Sequence, residues 1–144
     1  MEKQDYDHHR RIDPLYHMVL FGIIVLTLIG SCVNLYHSVG DEHRLYNASL
    51  LVAAMAAVLI LFFKTRLYAL KAQDRAIRVE ENLRHYVLTG KLLDPRLSVR
   101  QIVGLRFASD DEFAALAQRG ADEGLSEDAI KKAIKNWRAD TDRV

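Results

Sequence analysis

Six histidines, one cysteine and the acidic triplet Asp110-Asp111-Glu112 are the side chains with the most chemistry to offer. A metal centre needs three or four donors converging on one point. His8, His9 and His17 have no second clustered set of ligands, and His37 and His43 flank a short turn without a carboxylate group beside them, so these imidazoles read as solvated or interfacial. Cys32 stands alone in an apolar run, which excludes an intrachain disulfide or a CxxC site. Asp110, Asp111 and Glu112, with Arg106 nearby, are the closest approach to a polar site, but three acids in the first turn of a helix are more simply partners of its dipole. Asn34 is an amide within an apolar run whose neighbours include no ionisable carboxylate, Lys or Arg, whereas ion and proton pathways usually display one. Asn47-Ala48-Ser49 has the form of a glycosylation sequon but falls at the edge of an apolar run. No phosphate loop, nucleophile motif or metal constellation is present. The sequence therefore points to no catalytic residue, no cofactor and no metal, and not to an enzyme.

What must position these residues is dominated by two uncharged stretches. Leu15 to Tyr36 and Leu45 to Phe63 contain no Asp, Glu, Lys or Arg, and each has the length of a membrane-crossing helix. The average conceals them, because 27% charged residues, a net charge of +1 and a mean hydropathy of -0.06 are values of an ordinary soluble domain. Pro14 suits a first helical turn and Asp13 can cap it. Tyr16 and His17 look like interface anchors. Leu28-Ile29-Gly30-Ser31-Cys32 loosely fits a lipoprotein cleavage pattern, but the leader is not net positive and the apolar run continues beyond Cys32, so an uncleaved span is expected. Gly22, Leu26, Gly30 and Asn34 fall four apart on one face, and Ser49, Ala53 and Ala57 do so in the second run. Small residues at this spacing let helices approach closely in lipid. Pairing Gly22 with Ala57, Leu26 with Ala53 and Gly30 with Ser49 gives one antiparallel register; the alternative is that a stripe serves a dimer. Lys3, Arg10 and Arg11 precede the first run and Lys64, Arg66, Lys71, Arg75 and Arg78 follow the second, with only Arg44 between. The positive-inside rule then puts both termini in the cytoplasm.

Neither Gly nor Pro occurs between Gly40 and Gly90, so the second run is expected to continue as one helix through about residue 88. Its later half offers Asp74/Arg78, Glu80/Arg84 and Glu81/His85 as i, i+4 pairs, and its apolar positions do not keep a strict heptad, which argues against a long coiled coil. Ser98 to Gln101 and Ser109 to Glu112 read as capping boxes, and Ser126 opens a third acidic first turn. The expected architecture is an all-α membrane protein. It comprises a cytosolic segment 1–14, a two-span transmembrane helical hairpin 15–63 (spans 15–36 and 45–63, outer turn 37–44), and a cytosolic tail 64–144. The second span continues into a long cytosolic helix, 64–88, followed by a small cluster of about three short helices, 98–107, 110–122 and 127–139. Phe107, Phe113, Leu116, Ile130, Ile134 and Trp137 are the expected tail core, gathered around Trp137.

Gln73-Asp74-Arg75-Ala76-Ile77-Arg78, Leu105-Arg106-Phe107-Ala108-Ser109-Asp110 with Glu112, and the run from Ile130 to Arg138 carry a family resemblance, as do Pro14-Leu15-Tyr16-His17 and Asn34-Leu35. Across nearly its whole length the chain resembles an uncharacterised bacterial family of two-span membrane proteins, domain of unknown function 6526. The resemblance implies a multi-pass protein of the bacterial inner membrane and transfers no catalytic residue.

The tail is electrically divided. Residues 64 to 106 carry ten basic and four acidic side chains, and 107 to 144 carry six and nine. A basic membrane-proximal segment can lie on anionic lipid, with an acidic lobe beyond it. Absence of catalytic signatures favours a membrane-anchored interaction or accessory protein, its partners the lipid bilayer and a protein or a second copy of itself, with no small-molecule substrate. A membrane-anchored nucleic-acid-binding protein is the alternative, since 98–107 and 110–122 could pack as a helix-turn-helix, though an acidic lobe opposes phosphate binding. A small transporter or enzyme subunit is the remaining class.

Overall fold

In the computed structural model, which describes Tyr6 and residues 13–140, all regular elements are helical apart from one isolated bridge. A π-helical turn, Leu15–Leu20, runs into α1 (Phe21–His37); α2 (Glu42–Thr89), α3 (Val99–Leu105), α4 (Asp110–Glu123) and α5 (Glu127–Ala133) follow. The N-terminal segment's Lys3, His8, His9, Arg10 and Arg11 lie outside the described residues. The chain divides into two compact units at Tyr68/Ala69, with Tyr6 belonging to the second.

The first unit is a helical hairpin. Asp13 caps it through Oδ1, which accepts from the amides of Leu15 (3.0 Å) and Tyr16 (3.4 Å). The π turn was not legible in the sequence, and its effect is specific. Closing hydrogen bonds at i+5 rather than i+4 brings residues five apart onto one face. Tyr16 and Phe21 both reach Phe62, at ring separations of 4.3 and 5.6 Å, and the Tyr16 hydroxyl donates to the Phe62 carbonyl at 2.5 Å. Ile24, Ser31, Ser38 and Ala48 are buried, and Leu28, Leu35, Val52, Met55, Leu59 and Phe62 half-buried. Along each helix these positions alternate by four and three, the spacing of a left-handed knobs-into-holes seam.

The expected small-residue pairing is therefore not the one formed. Leu26, Gly30, Asn34, Ser49, Ala53 and Ala57 are exposed and Gly22 is half-buried, with open space where a Cβ on Gly22 or Gly30 would sit. The antiparallel register is close to the expected one, since Tyr16 and Phe62 sum to 78. What differs is the face: larger apolar residues at alternating three- and four-residue spacing bury more surface than Gly and Ala at every fourth position.

The second unit is built on the later part of α2. Gly90 terminates that helix in the left-handed region (φ +73), its amide reaching the Tyr86 carbonyl at 2.7 Å. Leu93 and Leu97 then enter a core with Ile77, Ile102, Leu105, Phe107, Phe113, Leu116, Ala117, Ile130 and Ile134. Leu105, Phe107, Phe113 and Ile130 are its largest fully buried side chains. The expected Trp137 centre is corrected: Trp137 packs from the side, half-buried, its ring 5.1 Å from Phe107. Gly104 lets α3 approach α5, since a Cβ there would stand 3.1 Å from the Glu127 carbonyl oxygen.

The last helix is also shorter than expected, ending at Ala133 instead of near 139. Residues beyond it pair in extended form with the α3–α4 junction. The Arg138 amide donates to the Phe107 carbonyl (2.7 Å), the Ser109 amide to that of Asn136 (3.0 Å), and Trp137 bridges Ala108. These bonds satisfy backbone groups of both segments, which the last turns of a terminal helix would leave partly open.

Candidate functional site

Helix caps determine which polar groups the tail keeps for its own architecture. Ser98 and Gln101 form the expected capping box, and Gln101 Nε2 further donates to the carbonyls of Gly120 (3.2 Å) and Leu125 (2.9 Å). Ser126 caps α5 by accepting from the Ala129 amide at 3.1 Å. The expected box at Ser109 does not form. Its Glu112 instead accepts from the amides of Lys135 (3.1 Å) and Asn136 (2.9 Å), which the early end of α5 has left exposed.

Arg84 is the centre of an enclosed polar cluster. Its guanidinium donates to Glu81 (3.0 Å), to Asp110 (2.7 Å) and to the Ala108 carbonyl (2.7 Å), with its carbon 4.3 Å from the centre of the Phe113 ring. The sequence pairing of Glu80 with Arg84 and Glu81 with His85 is thereby replaced. Arg84 takes the inward-facing Glu81, and His85 instead contacts the Lys91 carbonyl at 2.8 Å. Burial pushes the Glu81 carboxyl above its ordinary value, against the lowering pull of Arg84. Each of the three guanidinium nitrogens of Arg84 donates to a protein group, which is the arrangement of a joint between α2 and the α3–α4 corner.

The anticipated polar grouping of Arg106, Asp110, Asp111 and Glu112 is not assembled. Arg106 pairs with Asp140 at 2.9 Å and lies over Phe107, Asp110 holds Arg84, Glu112 holds backbone amides, and Asp111 is exposed.

Of the grooves on the tail, two are larger than the one of about 260 Å³ that Gln73, Ala76 and Glu80 of α2 form with Arg106, Arg138 and Asp140. The larger, about 1030 Å³, is open and lined by Arg96, Arg100, Arg106, Lys131, Glu127 and Tyr6 among others. Its cations are internally matched: Arg96 to Asp94 and Asp122, Arg100 and Lys131 to Glu127, Arg106 to Asp140. Arg96 holds the Asp94 carboxyl below its ordinary value, and Gln118 with Arg96 does so for Asp122. Tyr6 contributes a hydroxyl that donates to Asp128, beneath the ammonium of Lys132. The smaller groove, about 400 Å³, runs along α2 between Val79, Leu83 and Tyr86 on one side and Leu92 on the other. It is apolar, with Val79 69% and Leu83 62% exposed.

No group of three or more His, Cys, Asp or Glu side chains among the described residues could hold a metal ion. Of the residues expected in the tail core, Phe107, Phe113, Leu116, Ile130 and Ile134 are brought together, with Trp137 at their edge. The Arg84 joint was missed by sequence reasoning. Its signal was Glu81 and Arg84 lying on the inner side of α2 with Ile77, legible only once the inner side was known.

The model of the family of unknown function DUF6526 matches the chain over residues 1–144. No curated protein and no solved structure matches it.

Proposed function

From the premise that the chain belongs to DUF6526, a family of unknown function, over its whole length, we propose that it is a membrane-anchored accessory protein whose cytosolic tail is an interaction module. The observation that carries this reading is the contrast between the two units. The tail closes its own core, whereas the hairpin leaves Leu15, Met18, Ile23, Leu26, Ile29, Ile60 and Leu61 among its many exposed apolar side chains. Each such side chain forgoes roughly 1.5–3 kcal/mol while it faces water. A bilayer removes that cost along the whole hairpin.

Length and composition agree. Leu15–His37 spans 23 residues with a mean hydropathy of 2.4 in its most apolar window, and Glu42–Thr89 reaches 2.2. The basic residues following Phe63 support a cytoplasmic tail by the positive-inside rule, with the turn at Gly40 on the outer side, and the family resemblance supports a bacterial inner membrane. The charged groups of the tail are largely engaged with one another, which favours a partner that binds its surface. Nucleic acid is disfavoured for the same reason: Arg96, Arg100, Arg106 and Lys131, the cations nearest α3, are neutralised by acids of the tail itself.

A reporter active only in the periplasm tests the placement. Fused at Gly40 it should be active, and fused after residue 140 it should be silent. The inverse pattern, or release of the full chain from membranes by alkaline carbonate, overturns the reading.

A further inference from the structure

The apolar positions of α2 beyond Ala69 serve two faces at once, which is why no heptad was visible in the sequence. Ile77, Glu81 and Arg84 face the tail's core and its polar joint. Of the other apolar positions, Ala72, Ala76, Val79, Leu83 and Tyr86 are all exposed and spaced by four, three, four and three, while Val87 and Leu88, also exposed, lie off that stripe. That is an uninterrupted heptad seam. Its distal half lines the apolar groove beside Leu92, and no other described element fills that groove.

We propose that this seam is the interface between two copies of the chain, their α2 helices packed parallel and in register. Charge selects both the partner and the direction. Arg75 directly precedes the seam position Ala76, and Glu80 directly follows Val79. In a parallel pair of heptad helices, a residue flanking the seam just before an a position faces the residue five further along the partner, which flanks it just after a d position. Arg75 of one copy thus meets Glu80 of the other, twice by symmetry. Both side chains are exposed, and no ion pair among the described residues engages either. An antiparallel pair would set like positions together, Arg75 against Arg75 or Asn82 and Glu80 against Glu80, Gln73 or Val87, and would lose both attractions. Ala72 and Ala76 let the helices approach closely, while Val79, Leu83 and Tyr86 supply the apolar bulk. The parallel sense also suits chains anchored by the same hairpin in one bilayer, and in that respect the inference rests on the proposed membrane placement.

The test uses the full chain, with Cys32→Ala as background. In a parallel, in-register pair each seam residue meets its own counterpart, so Leu83→Cys should form an interchain disulfide on mild oxidation in native membranes. Ala115→Cys, exposed on α4, should cross-link several-fold less. Arg75→Glu should weaken the dimer in mild detergent by about two- to fivefold, as expected for exposed pairs, and adding Glu80→Arg should restore it. Leu83→Asp should abolish the dimer without shifting Trp137 emission. Equal cross-linking at 83 and 115, a monomer in both membranes and detergent, or failure of the charge exchange to restore pairing overturns the proposal. Alkaline carbonate extraction of the same membranes is scored separately: a chain that is extracted yet still cross-links at 83 overturns the membrane reading and leaves the seam standing.

Discussion

Arg84 donates to the Ala108 carbonyl across 2.7 Å, tying the inner face of α2 to the corner where α3 hands over to α4. The same guanidinium compensates Glu81, whose side chain is almost wholly buried. Removing it strands a charge. Arg84→Met should therefore cost the tail about 3–5 kcal/mol at neutral pH, the range for breaking one side of a buried pair. Thermal unfolding of the full chain in detergent, followed by Trp137 fluorescence, measures it. A cost as small as that of an exposed arginine would mean the joint contributes no stability.

Glu81 makes that cost depend on pH. Its folded pKa is raised, so the folded state holds the proton more tightly than the unfolded chain does. The associated stability is present below the ordinary glutamate pKa and is lost as pH rises through the folded value. Glu81→Gln should remove this loss and flatten the profile just above the glutamate range. The penalty of Arg84→Met should shrink as pH falls and Glu81 becomes neutral. Asp94 and Asp122 act in the opposite sense, their depressed values withdrawing stability only as pH falls below the ordinary aspartate range. A Glu81→Gln profile parallel to that of the parent chain would rule out burial of the Glu81 carboxyl.

For the hairpin, the face in use can be separated from the face anticipated from small residues. Ala48 is buried whereas Gly30 opens on free space. Ala48→Leu should splay the helices, and Gly30→Leu should leave them packed. Cysteines at 31 and 48, with Cys32→Ala, should cross-link within one chain more efficiently than cysteines at 30 and 49. The reverse order would restore the small-residue interface.

Charge-free length and the run without Gly or Pro located both apolar helices and the continuity of α2, because these are properties of single segments. Which side of a helix faces inward is decided by its neighbours. Hence Gly30 and Ser49 were favoured over Ser31 and Ala48, and the two superimposed faces of α2 blurred into one irregular pattern. Capping followed the same division. Ser98 and Gln101 satisfy each other locally, but Glu112 was drawn away by amides of Lys135 and Asn136, a partner more than twenty residues distant that no local motif encodes.

Trp137 is the case where tertiary pairing most changes the expected energetics. Periodicity placed it on the buried stripe of a helix with Ile130 and Ile134, at the heart of the tail. In the structure the helix has ended four residues earlier, and Trp137 lies on an extended segment bridged to Ala108, one face on Phe107 and part of its surface exposed. Part of its surface stays exposed, so truncation removes less buried area than at a core position. Trp137→Ala should cost less than the roughly 3–5 kcal/mol expected of Phe113→Ala at a fully buried position. The tail of the Trp137→Ala variant should stay folded, its unfolding followed by near-ultraviolet circular dichroism since no other tryptophan exists. In the parent chain Trp137 emission should lie between those of buried and free indole, and iodide should quench it partially. Equal penalties for the two substitutions, together with full protection from iodide, would return Trp137 to the centre of the core and extend α5 through it.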